Sequence, residues 1–321
     1  MTYWLDGLLD RSIVLSFDRS GFMRHQRRFR SEDLQVDLTG KLSLVTGANS
    51  GIGEATATAL AERGSEVLML CRDRARGEEA RQRIRETARS SRVRLMELDL
   101  ANPRSIDRFL RALPDSRIDI LINNAGALFG ERITNTAGEE ATLATNLLGP
   151  ARLTGGLIER LSRANDPRVI NVSSGGMYPV RLDLDDPNWE RRPYNGLRAY
   201  AESKRALVVL TELWARRHAQ NGILFHSMHP GWADTRGVQD ALPGFWSRMK
   251  DRLRTAEQGA DTVVWLAVAS PAKLGSGRFW FDRQAVPSHL LPWTRESDRV
   301  RQRLWQLCCS EFKLERHKEV A

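Results

Sequence analysis

A tyrosine and a lysine stand four residues apart in the stretch YAESK, from Tyr200 to Lys204. The surrounding segment, 199–220, has apolar residues at helical spacing, so both side chains are expected on one face of a helix. A free phenol has a pKa of about 10, and a nearby ammonium favours the phenolate. The pair therefore predicts a general acid or base that donates a proton to a carbonyl oxygen or takes one from an alcohol.

The lysine is also unusual for this chain, in which only six of the 49 lysines and arginines are lysines. Lys204 is the only lysine between Lys41 and Lys250. The planar guanidinium of an arginine directs its donors differently from a compact ammonium, so arginine would be a poor substitute beside the phenol. Taken alone, the pair is equally compatible with a tyrosine and a lysine on the solvent face of an amphipathic helix.

A glycine-rich turn, TGANSGIG at 46–53, follows a predicted buried strand and precedes a predicted helix. Gly47 can adopt a tight-turn conformation, and Gly51 removes the side chain where the backbone must approach a pyrophosphate. Gly53 lets the helix and the strand pack closely. Because the helix N-terminus offers free N–H groups and the positive end of the helix dipole, this turn predicts a dinucleotide site. A ligand-free turn is the alternative.

Short apolar runs alternate with helical patterns from Leu42 onward, which predicts parallel β-α units. Because uninterrupted apolar strands need helices on both faces, we expect an α/β single-domain Rossmann fold, a doubly wound parallel sheet of seven strands. The expected strands are 42–46, 66–70, 93–98, 118–123, 168–173, 223–228 and 277–281, with a long helix at about 138–164. We expect an N-terminal arm at 1–39, a Rossmann-type nucleotide-binding catalytic domain at 40–292 and a C-terminal tail at 293–321.

The composition excludes several classes of protein. The formal charge is +9, but arginine is spread along the chain and the one dense basic patch is 24–30, so no nucleic-acid partner is expected. The cysteines, Cys71, Cys308 and Cys309, give neither a disulfide framework nor the spacing of metal ligands, so no metal is expected. No apolar run is long enough to span a bilayer, and the N-terminus does not have the pattern of a signal peptide. A cytoplasmic location is therefore expected.

Five motifs stand in the order and at the approximate intervals of one family: TGANSGIG, NNAG (123–126), NVSS (171–174), YAESK and HPGWADT (229–235). With them, the chain resembles the short-chain dehydrogenases/reductases over about residues 40–281. The gap of 26 residues from Ser174 to Tyr200 is similar to that of the retinol-dehydrogenase-like branch, so we interpret the insert as a substrate-side loop. The resemblance implies an NAD(P)-dependent oxidoreductase acting on CH–OH groups.

The resemblance also implies roles for residues near the tyrosine and the lysine. Ser174 would share the charge that develops on the substrate oxygen with Tyr200, and Ser173 is the rival hydroxyl that the family pattern disfavours. Asn146 is similar to the helix asparagine that holds a water for proton relay to Lys204, and a helix-distorting polar residue is the alternative. Lys204 would also hold the ribose hydroxyls of the nicotinamide nucleotide.

The end of the second strand bears on the choice of dinucleotide. NAD sites place an acidic residue there, whereas this chain has Cys71 followed by Arg72, which can form a forked contact with a 2′-phosphate. Asp73 is the counter-candidate, but it is expected to point outward. NADP(H) is therefore favoured over NAD(H). The expected cofactor-binding residues are Gly47, Asn49, Ser50, Gly51, Ile52, Gly53, Arg72, Asp99, Leu100, Asn123, Ala125, Gly126, Tyr200, Lys204, Pro230, Gly231, Trp232 and Thr235.

The expected substrate is a small molecule with a carbonyl or alcohol group on a hydrophobic body. Met177, Trp232 and Phe245 are candidates for contact with it, and the segment 236–253 resembles a mobile lid. Positions in the hydrophobic core are the alternative for these apolar residues.

Two other functions and an assembly are compatible with the sequence. One function is a redox sensor that binds NADP without turnover. The other is peripheral contact with a membrane through Trp4, Leu8 and Leu9 together with the basic patch 24–30. Relatives often pair through the helices after the fourth and fifth strands, so the resemblance implies a homodimer or a homotetramer.

Overall fold

The apolar runs of the sequence form the strands of one sheet in the computed structural model, which describes residues 13–309. The sheet has eight strands in the order β3-β2-β1-β4-β5-β6-β7-β8. They are β1 Leu42–Thr46, β2 Glu66–Cys71, β3 Val93–Glu97, β4 Ile120–Asn123, β5 Arg168–Val172, β6 Leu224–Met228, β7 Arg278–Phe281 and β8 Gln284–Val286. The first seven strands are parallel, which confirms the predicted doubly wound fold.

The eighth strand corrects the predicted count of seven. It pairs antiparallel with β7, and the two strands are joined by the two-residue turn of Asp282 and Arg283, both with positive φ. The strand has only three residues, two of them exposed, so it lacks the apolar run by which the other strands were recognised.

Successive residues of each strand point to opposite faces, and each face is covered by helices. Helices α3 Gly51–Glu62, α4 Arg74–Thr87 and α11 Ala256–Val268 pack with Val45, Val67 and Ile122 on one face. Helices α5 Pro103–Ala112, α7 Gly149–Leu161, α8 Gly196–Arg217 and α13 Asp298–Cys309 pack with Leu44, Leu68 and Leu121 on the other. The remaining helices are α1 Ile13–Phe17, α2 Arg19–Gln26, α6 Ala141–Leu143, α9 Arg236–Ala241, α10 Pro243–Met249 and α12 Pro271–Leu274.

The strand order reverses between β1 and β4, which lie side by side at the middle of the sheet. In open α/β sheets a crevice forms at this switch point, at the carboxyl ends of the strands. The glycine turn follows β1, the NNAG segment follows β4, Ser174 follows β5 and Pro230 follows β6. The topology therefore brings the sequence motifs to one edge of the sheet.

The long helix predicted over about 138–164 is divided into three parts. Helix α6 is followed by a π-helical turn at Ala144–Leu148, and only then does α7 begin. A side chain at Gly149 would place its Cβ 2.4 Å from the carbonyl oxygen of Leu100, so this glycine permits close packing after the β3 strand. π-Helical turns occur frequently at functional sites, and this one contains Asn146.

The described part of the arm packs on the sheet domain, as does α13. Phe17 and Phe22 of the arm and Leu304 and Trp305 of α13 are buried. Trp4, Leu8 and Leu9, on which the interpretation of a membrane contact depends, lie outside the described residues. Within residues 13–309, no helix has the length and apolar character that crossing a bilayer requires.

Candidate functional site

Tyr200 and Lys204 lie one turn apart on α8, and the lysine is deeply buried. Only 2% of Lys204 is exposed, and its Nζ donates a hydrogen bond to the carbonyl oxygen of Val172 at 2.8 Å. The same Nζ lies 5.8 Å from the centroid of the Tyr200 ring. The helix therefore brings the ammonium and the phenol to one place beside the end of β5, as their spacing predicts.

Burial shifts the pKa values of both groups. It lowers the pKa of Lys204 to about 8 and raises the pKa of Tyr200, although a hydrogen-bonding contribution from the Ser174 hydroxyl opposes the latter. In the cofactor-free protein the pKa of Tyr200 is therefore raised rather than drawn towards neutrality as expected from Lys204, because desolvation of the phenol has the largest effect. In this state Tyr200 is protonated at pH 7, which is the form that can donate a proton.

The two adjacent serines after β5 have different surroundings. Ser173 is buried, and its hydroxyl donates to the backbone carbonyl of Lys204 at 2.9 Å. Ser174 is partly exposed, and its Oγ accepts a hydrogen bond from the N–H of Gly176 at 3.2 Å. The hydroxyl of Ser173 is thus engaged in holding α8 against β5, whereas the partly exposed Ser174 hydroxyl lies beside the Tyr200 hydroxyl, where a ligand oxygen could contact both.

Asn146 is buried in the π-helical turn, and both the oxygen and the nitrogen of its side-chain amide form hydrogen bonds. Its Oδ1 accepts from the N–H of Ala127 at 2.8 Å, and its Nδ2 donates to the carbonyl of Ala127 at 2.9 Å and to Ser203 Oγ at 3.0 Å. The side chain therefore fixes the chain just after NNAG to helix α8.

Gly126 keeps the approach to Lys204 open. A side chain at this exposed position would place its Cβ 3.2 Å from Lys204 Nζ and 3.4 Å from Asn146 Oδ1. The absence of a side chain leaves room for a ligand group next to the ammonium. This space fits the ribose hydroxyls that the sequence assigned to Lys204.

The glycine turn has a backbone geometry that would allow a ligand to approach it closely. Gly47 and Gly51 have φ values of +63° and +54°, which favour glycine. A Cβ at Gly53 would lie 2.3 Å from the carbonyl oxygen of Gly47, so a larger residue would displace the turn. The turn leads into the N-terminus of α3, where Asn49, Ser50 and Ile52 are partly exposed and free helix N–H groups can bind an anion. These residues fit a pyrophosphate.

Thr46 and Asn124 hold this turn, and neither was identified in the sequence as functional. Thr46 Oγ1 accepts from the N–H groups of Asn124 and Ala125 at 2.9 and 3.0 Å. Asn124 Nδ2 donates to the carbonyl oxygens of Thr46 and Gly47 at 2.9 and 3.3 Å. The two residues therefore tie the turn after β1 to the segment after β4, across the switch point.

Asn123 braces the central strands. Its Nδ2 donates to Thr154 Oγ1 at 3.0 Å and to Asn171 Oδ1 at 2.8 Å, where β4 and β5 pair. Its Oδ1 is buried and has no hydrogen-bond partner among the described residues. The observed contacts are structural, and the side chain is covered by neighbouring elements rather than open to a ligand.

Asp99 and Leu100 follow β3 at the same edge of the sheet. Asp99 Oδ1 accepts from the N–H of Ala101 at 2.9 Å, and its own N–H donates to Ser105 Oγ at 3.1 Å. Asp99 is partly exposed, which leaves its second carboxylate oxygen accessible to a donor such as an adenine amino group, while Leu100 is buried beneath it.

The end of β2 presents one exposed basic side chain. Cys71 is buried, and burial raises its pKa to about 11. Arg72 is exposed, while Asp73 caps helix α4 by accepting from the N–H of Arg76 at 3.0 Å. One carboxylate oxygen of Asp73 is engaged in capping, and Arg72 is the exposed basic group at this strand end that can reach an anionic ligand.

The loop after β6 is held by backbone hydrogen bonds. The N–H of Trp232 donates to the carbonyl of Phe17 at 2.8 Å, and the N–H of Arg254 donates to the carbonyl of Trp232 at 2.8 Å. Thr235 caps α9, and its Cγ2 would lie 3.0 Å from a Cβ at Gly51. The Pro230–Thr235 loop therefore reaches the glycine turn.

The candidate substrate residues separate into two groups. Trp232 and Phe245 are partly exposed and pack edge to face with ring centroids 5.2 Å apart, so they form an apolar wall next to the loop. Met177 is fully buried in a cluster with Phe17 and Phe279, and its sulfur accepts from Arg205. Met177 occupies a core position and does not line an accessible surface.

The segment expected to be a lid and the insert before Tyr200 both make side-chain hydrogen bonds with neighbouring residues. The segment 236–253 contains α9 and α10, and Trp246 Nε1 donates to Asp234 Oδ1 at 2.9 Å. In the insert, Tyr194 donates to Glu140 Oε1 at 2.9 Å, and burial raises its pKa to about 12. Tyr194 is therefore engaged elsewhere and does not compete with Tyr200 as an acid. In residues 13–309, no cluster of three or more potential metal-binding side chains occurs.

The switch-point crevice, the glycine turn, the buried Lys204 and the partly exposed Tyr200 one helical turn away define a dinucleotide-dependent oxidoreductase. A family model described as short chain dehydrogenase matches residues 41–244. The chain therefore belongs to the short-chain dehydrogenase/reductase family, whose members use NAD(P) cofactors and act on CH–OH groups. This confirms the family that the five motifs indicated.

Named relatives cover most of the chain. It is 46% identical to human dehydrogenase/reductase SDR family member 12 over 276 residues, 85% of this chain and 86% of the relative. It is 35% identical to human retinol dehydrogenase 13 over 287 residues, 84% of each chain. A solved structure of an uncharacterized protein from Mycobacterium paratuberculosis matches with a TM-score of 0.70 and 30% identity, covering 86% of this chain and 95% of that one.

Proposed function

We propose that the protein is an NADP(H)-dependent carbonyl reductase or alcohol dehydrogenase for a hydrophobic substrate, with its active site at Ser174, Tyr200 and Lys204. The observation that supports this most strongly is the state of Lys204. It is buried, and among the described residues no carboxylate lies within ion-pair distance of it, yet it faces an open space at Gly126 and a phenol on the same helix. A ligand with hydroxyl groups would satisfy this ammonium.

The residues have distinct tasks in the proposed reaction. When bound, the dinucleotide supplies or accepts the hydride. Tyr200 donates its proton to the substrate oxygen in reduction or takes it from the alcohol in oxidation. Ser174 donates a hydrogen bond to the same oxygen, which stabilises the charge that develops there. Lys204 binds the ribose hydroxyls, and Asn146 fixes the segment after NNAG so that the lysine and the ribose meet.

The preference for NADP(H) rests on Arg72. A guanidinium can bind a 2′-phosphate through two parallel charge-assisted hydrogen bonds, and the neighbouring acidic residue, Asp73, has one carboxylate oxygen engaged in capping α4. We expect Arg72→Ala to weaken NADPH binding by about 10- to 100-fold, the loss of one charged hydrogen-bonding group, and to change NADH binding by less than about threefold. Arg74→Ala, an exposed arginine on the next helix, is the control. Equal losses for the two dinucleotides would contradict the role of Arg72.

The apolar wall of Trp232 and Phe245 supports a hydrophobic substrate, and a relative named as a retinol dehydrogenase agrees with this class. Retinoid, steroid and fatty-aldehyde carbonyls are therefore the compounds to test first, with NADPH oxidation followed by absorbance.

The decisive variant is Tyr200→Phe, which removes only the hydroxyl. We expect it to lower carbonyl-dependent NADPH oxidation by at least about 100-fold, because general acid catalysis contributes a factor of this size, and to leave NADPH affinity within about threefold. Tyr194→Phe is the matched control, since that hydroxyl binds Glu140 outside the proposed site. Turnover that survives in Tyr200→Phe would overturn the assignment.

A further inference from the structure

Arg254 is a charged residue with no exposure to solvent. Its NH1 and NH2 donate to the two carboxylate oxygens of Asp282 at 2.6 and 2.9 Å, and Asp282 is itself buried at the turn between β7 and β8. His25 of the arm helix α2 adds a contact from its Nδ1 to Asp282 Oδ2 at 2.6 Å. A buried pair of this kind is tolerated only when each charge is fully hydrogen-bonded.

The remaining donors of Arg254 join two segments that are distant in sequence. NH2 donates to the carbonyl of Ser16 at 2.9 Å and Nε to the carbonyl of Asp18 at 3.2 Å, both in the arm. NH1 donates to the carbonyl of Pro230 at 3.2 Å, at the start of the loop after β6. One guanidinium therefore links the arm, the β7–β8 turn and the loop.

The arm also contacts this loop directly. The N–H of Trp232 donates to the carbonyl of Phe17 at 2.8 Å. Gly231 has a φ of +72°, and a Cβ there would lie 2.6 Å from the Phe17 carbonyl oxygen and 2.5 Å from Arg254 Nε. The conformation of the loop is thus fitted to the arm and the guanidinium together, and only glycine is accommodated between them.

The ring of Phe17 reaches the other side of the candidate site. A Cβ at Gly175, next to Ser174, would lie 2.4 Å from Phe17 Cε2. The ring also packs on His229 and Phe281, with centroids 4.6 and 5.2 Å away. The arm therefore contacts both segments that flank the proposed active site, the one after β5 and the one after β6.

We propose that residues 16–26 of the arm form a structural wall of the active site, and that Arg254 is the positioning residue that fixes the 230–235 loop to it. In this arrangement, neutralisation of Arg254 by Asp282 keeps the arm docked, and the docked arm sets the backbone of the loop that would face the nicotinamide end of the dinucleotide. The identity of that ligand rests on the proposed function, whereas the coupling between arm and loop does not.

Asp282→Asn tests this coupling with little change in shape. Asparagine also tolerates the left-handed backbone at this position, where φ is +46°, so the variant removes the charge and retains the turn. The matched control is Asp119→Asn, which neutralises another buried carboxylate that binds a basic side chain, Lys41, at the amino ends of the strands. If Asp282→Asn does not fold, Arg254→Met combined with Asp282→Asn removes both charges of this pair, so that Arg254 is not left as a buried charge without its carboxylate.

Two measurements are made on the full-length protein. Hydrogen exchange followed by mass spectrometry should show peptides covering 16–22 and 230–235 exchanging about tenfold faster in the Asp282 variant than in Asp119→Asn, the effect of losing one charged hydrogen bond. The dissociation constant for NADPH should rise about tenfold in the Asp282 variant and less than about twofold in the control, because the loop is no longer held.

The outcomes separate the two proposals. If the wild-type protein does not bind NADPH, the proposed function fails, and the exchange measurement still decides the coupling. If arm and loop exchange no faster in the folded Asp282 variant than in the control, the positioning role of Arg254 is overturned. If they exchange faster while NADPH affinity is unchanged, the arm is docked to the loop but is not a wall of the site, which also overturns the proposal.

Discussion

Lys204→Met should change how the stability of the protein depends on pH. The ordinary pKa of a lysine is 10.5, and burial lowers that of Lys204 to about 8 in the folded protein. At about 1.4 kcal/mol per pKa unit, this difference of about 2.5 units costs the folded state about 3 kcal/mol wherever the lysine is charged. Methionine has a similar length and no charge, so the variant does not incur this cost.

The sign follows from the protons bound by each state. Below pH 8 both states hold the proton and the full penalty applies; between pH 8 and 10.5 the unfolded chain holds a proton that the folded protein has lost. The stability of the wild type therefore rises with pH in this window relative to the variant. Methionine also leaves the Val172 carbonyl without its donor, which costs about 1–3 kcal/mol at any pH. Lys204→Met should thus be about as stable as the wild type or slightly more stable at pH 7, and less stable at pH 10.5.

The assay is urea denaturation of the cofactor-free proteins at several pH values from 7 to 10.5. The difference in free energy of unfolding between variant and wild type should change by about 3 kcal/mol across this range. Lys273→Met is the control, since it makes the same substitution at a side chain that is 58% exposed and therefore stays in contact with water in the folded protein. If the difference in free energy of unfolding between Lys204→Met and the wild type did not change with pH, Lys204 would not be desolvated in the folded protein. Its proposed function would then lose its physical basis.

Three further outcomes are expected. Ser174→Ala should lower kcat/KM by about 100-fold, because it removes a hydrogen-bond donor to the charge that develops on the substrate oxygen. Ser173→Ala should lower the free energy of unfolding by about 1 kcal/mol and retain most of the activity. If Ser173→Ala lost activity and Ser174→Ala did not, the roles of the two serines would be exchanged. Gly53→Ala should raise the NADPH dissociation constant by more than about tenfold, because the alanine Cβ would collide with the glycine turn. An unchanged dissociation constant in NADPH titrations would contradict the role of this turn in binding the pyrophosphate. Cys71 should resist alkylation at pH 8 in the folded protein, as its thiol is buried with a pKa of about 11, and rapid labelling detected by peptide mass spectrometry would refute this.

The sequence was sufficient to predict the seven parallel strands and the edge at which the motifs meet. Uninterrupted apolar runs and apolar residues at helical spacing report burial directly, and the switch point follows from the order of parallel strands. Strand β8 was missed because it is short and has no apolar run, and the turn before it contains Asp282, whose side chain is bound by His25 and Arg254 from distant parts of the chain. No local pattern reports such a contact.

In the candidate site, too, residues with a local sequence signal were predicted and residues that act through distant contacts were not. The types and spacing of Tyr200, Lys204 and the glycines indicate chemistry by themselves, so they were found. Thr46 and Asn124 act by bridging two loops, and their types are common in any turn. Met177 was proposed as a substrate contact with a core position as the alternative, and its side chain lies in the core, an outcome that depends on how Phe17 and Phe279 pack around it.

The buried basic residues of this protein also explain why position 204 holds a lysine. Arg205, the next residue on the same helix, is fully buried and pairs with Glu296 at 2.9 Å, and Arg254 pairs with Asp282 at 2.6 Å. Arg254 satisfies its fixed donors with Asp282 and three backbone carbonyls, and Arg205 does so with Glu296, two backbone carbonyls, His289 and the Met177 sulfur, so each guanidinium has permanent partners within the protein. Lys204 has one carbonyl partner and two remaining donors that point to no acid in the described chain. An arginine there would bring donors that need permanent partners and a charge that burial does not remove. A lysine with a lowered pKa can remain with one hydrogen bond in the free protein and form the others when a polar ligand binds. This property serves binding and catalysis rather than stability.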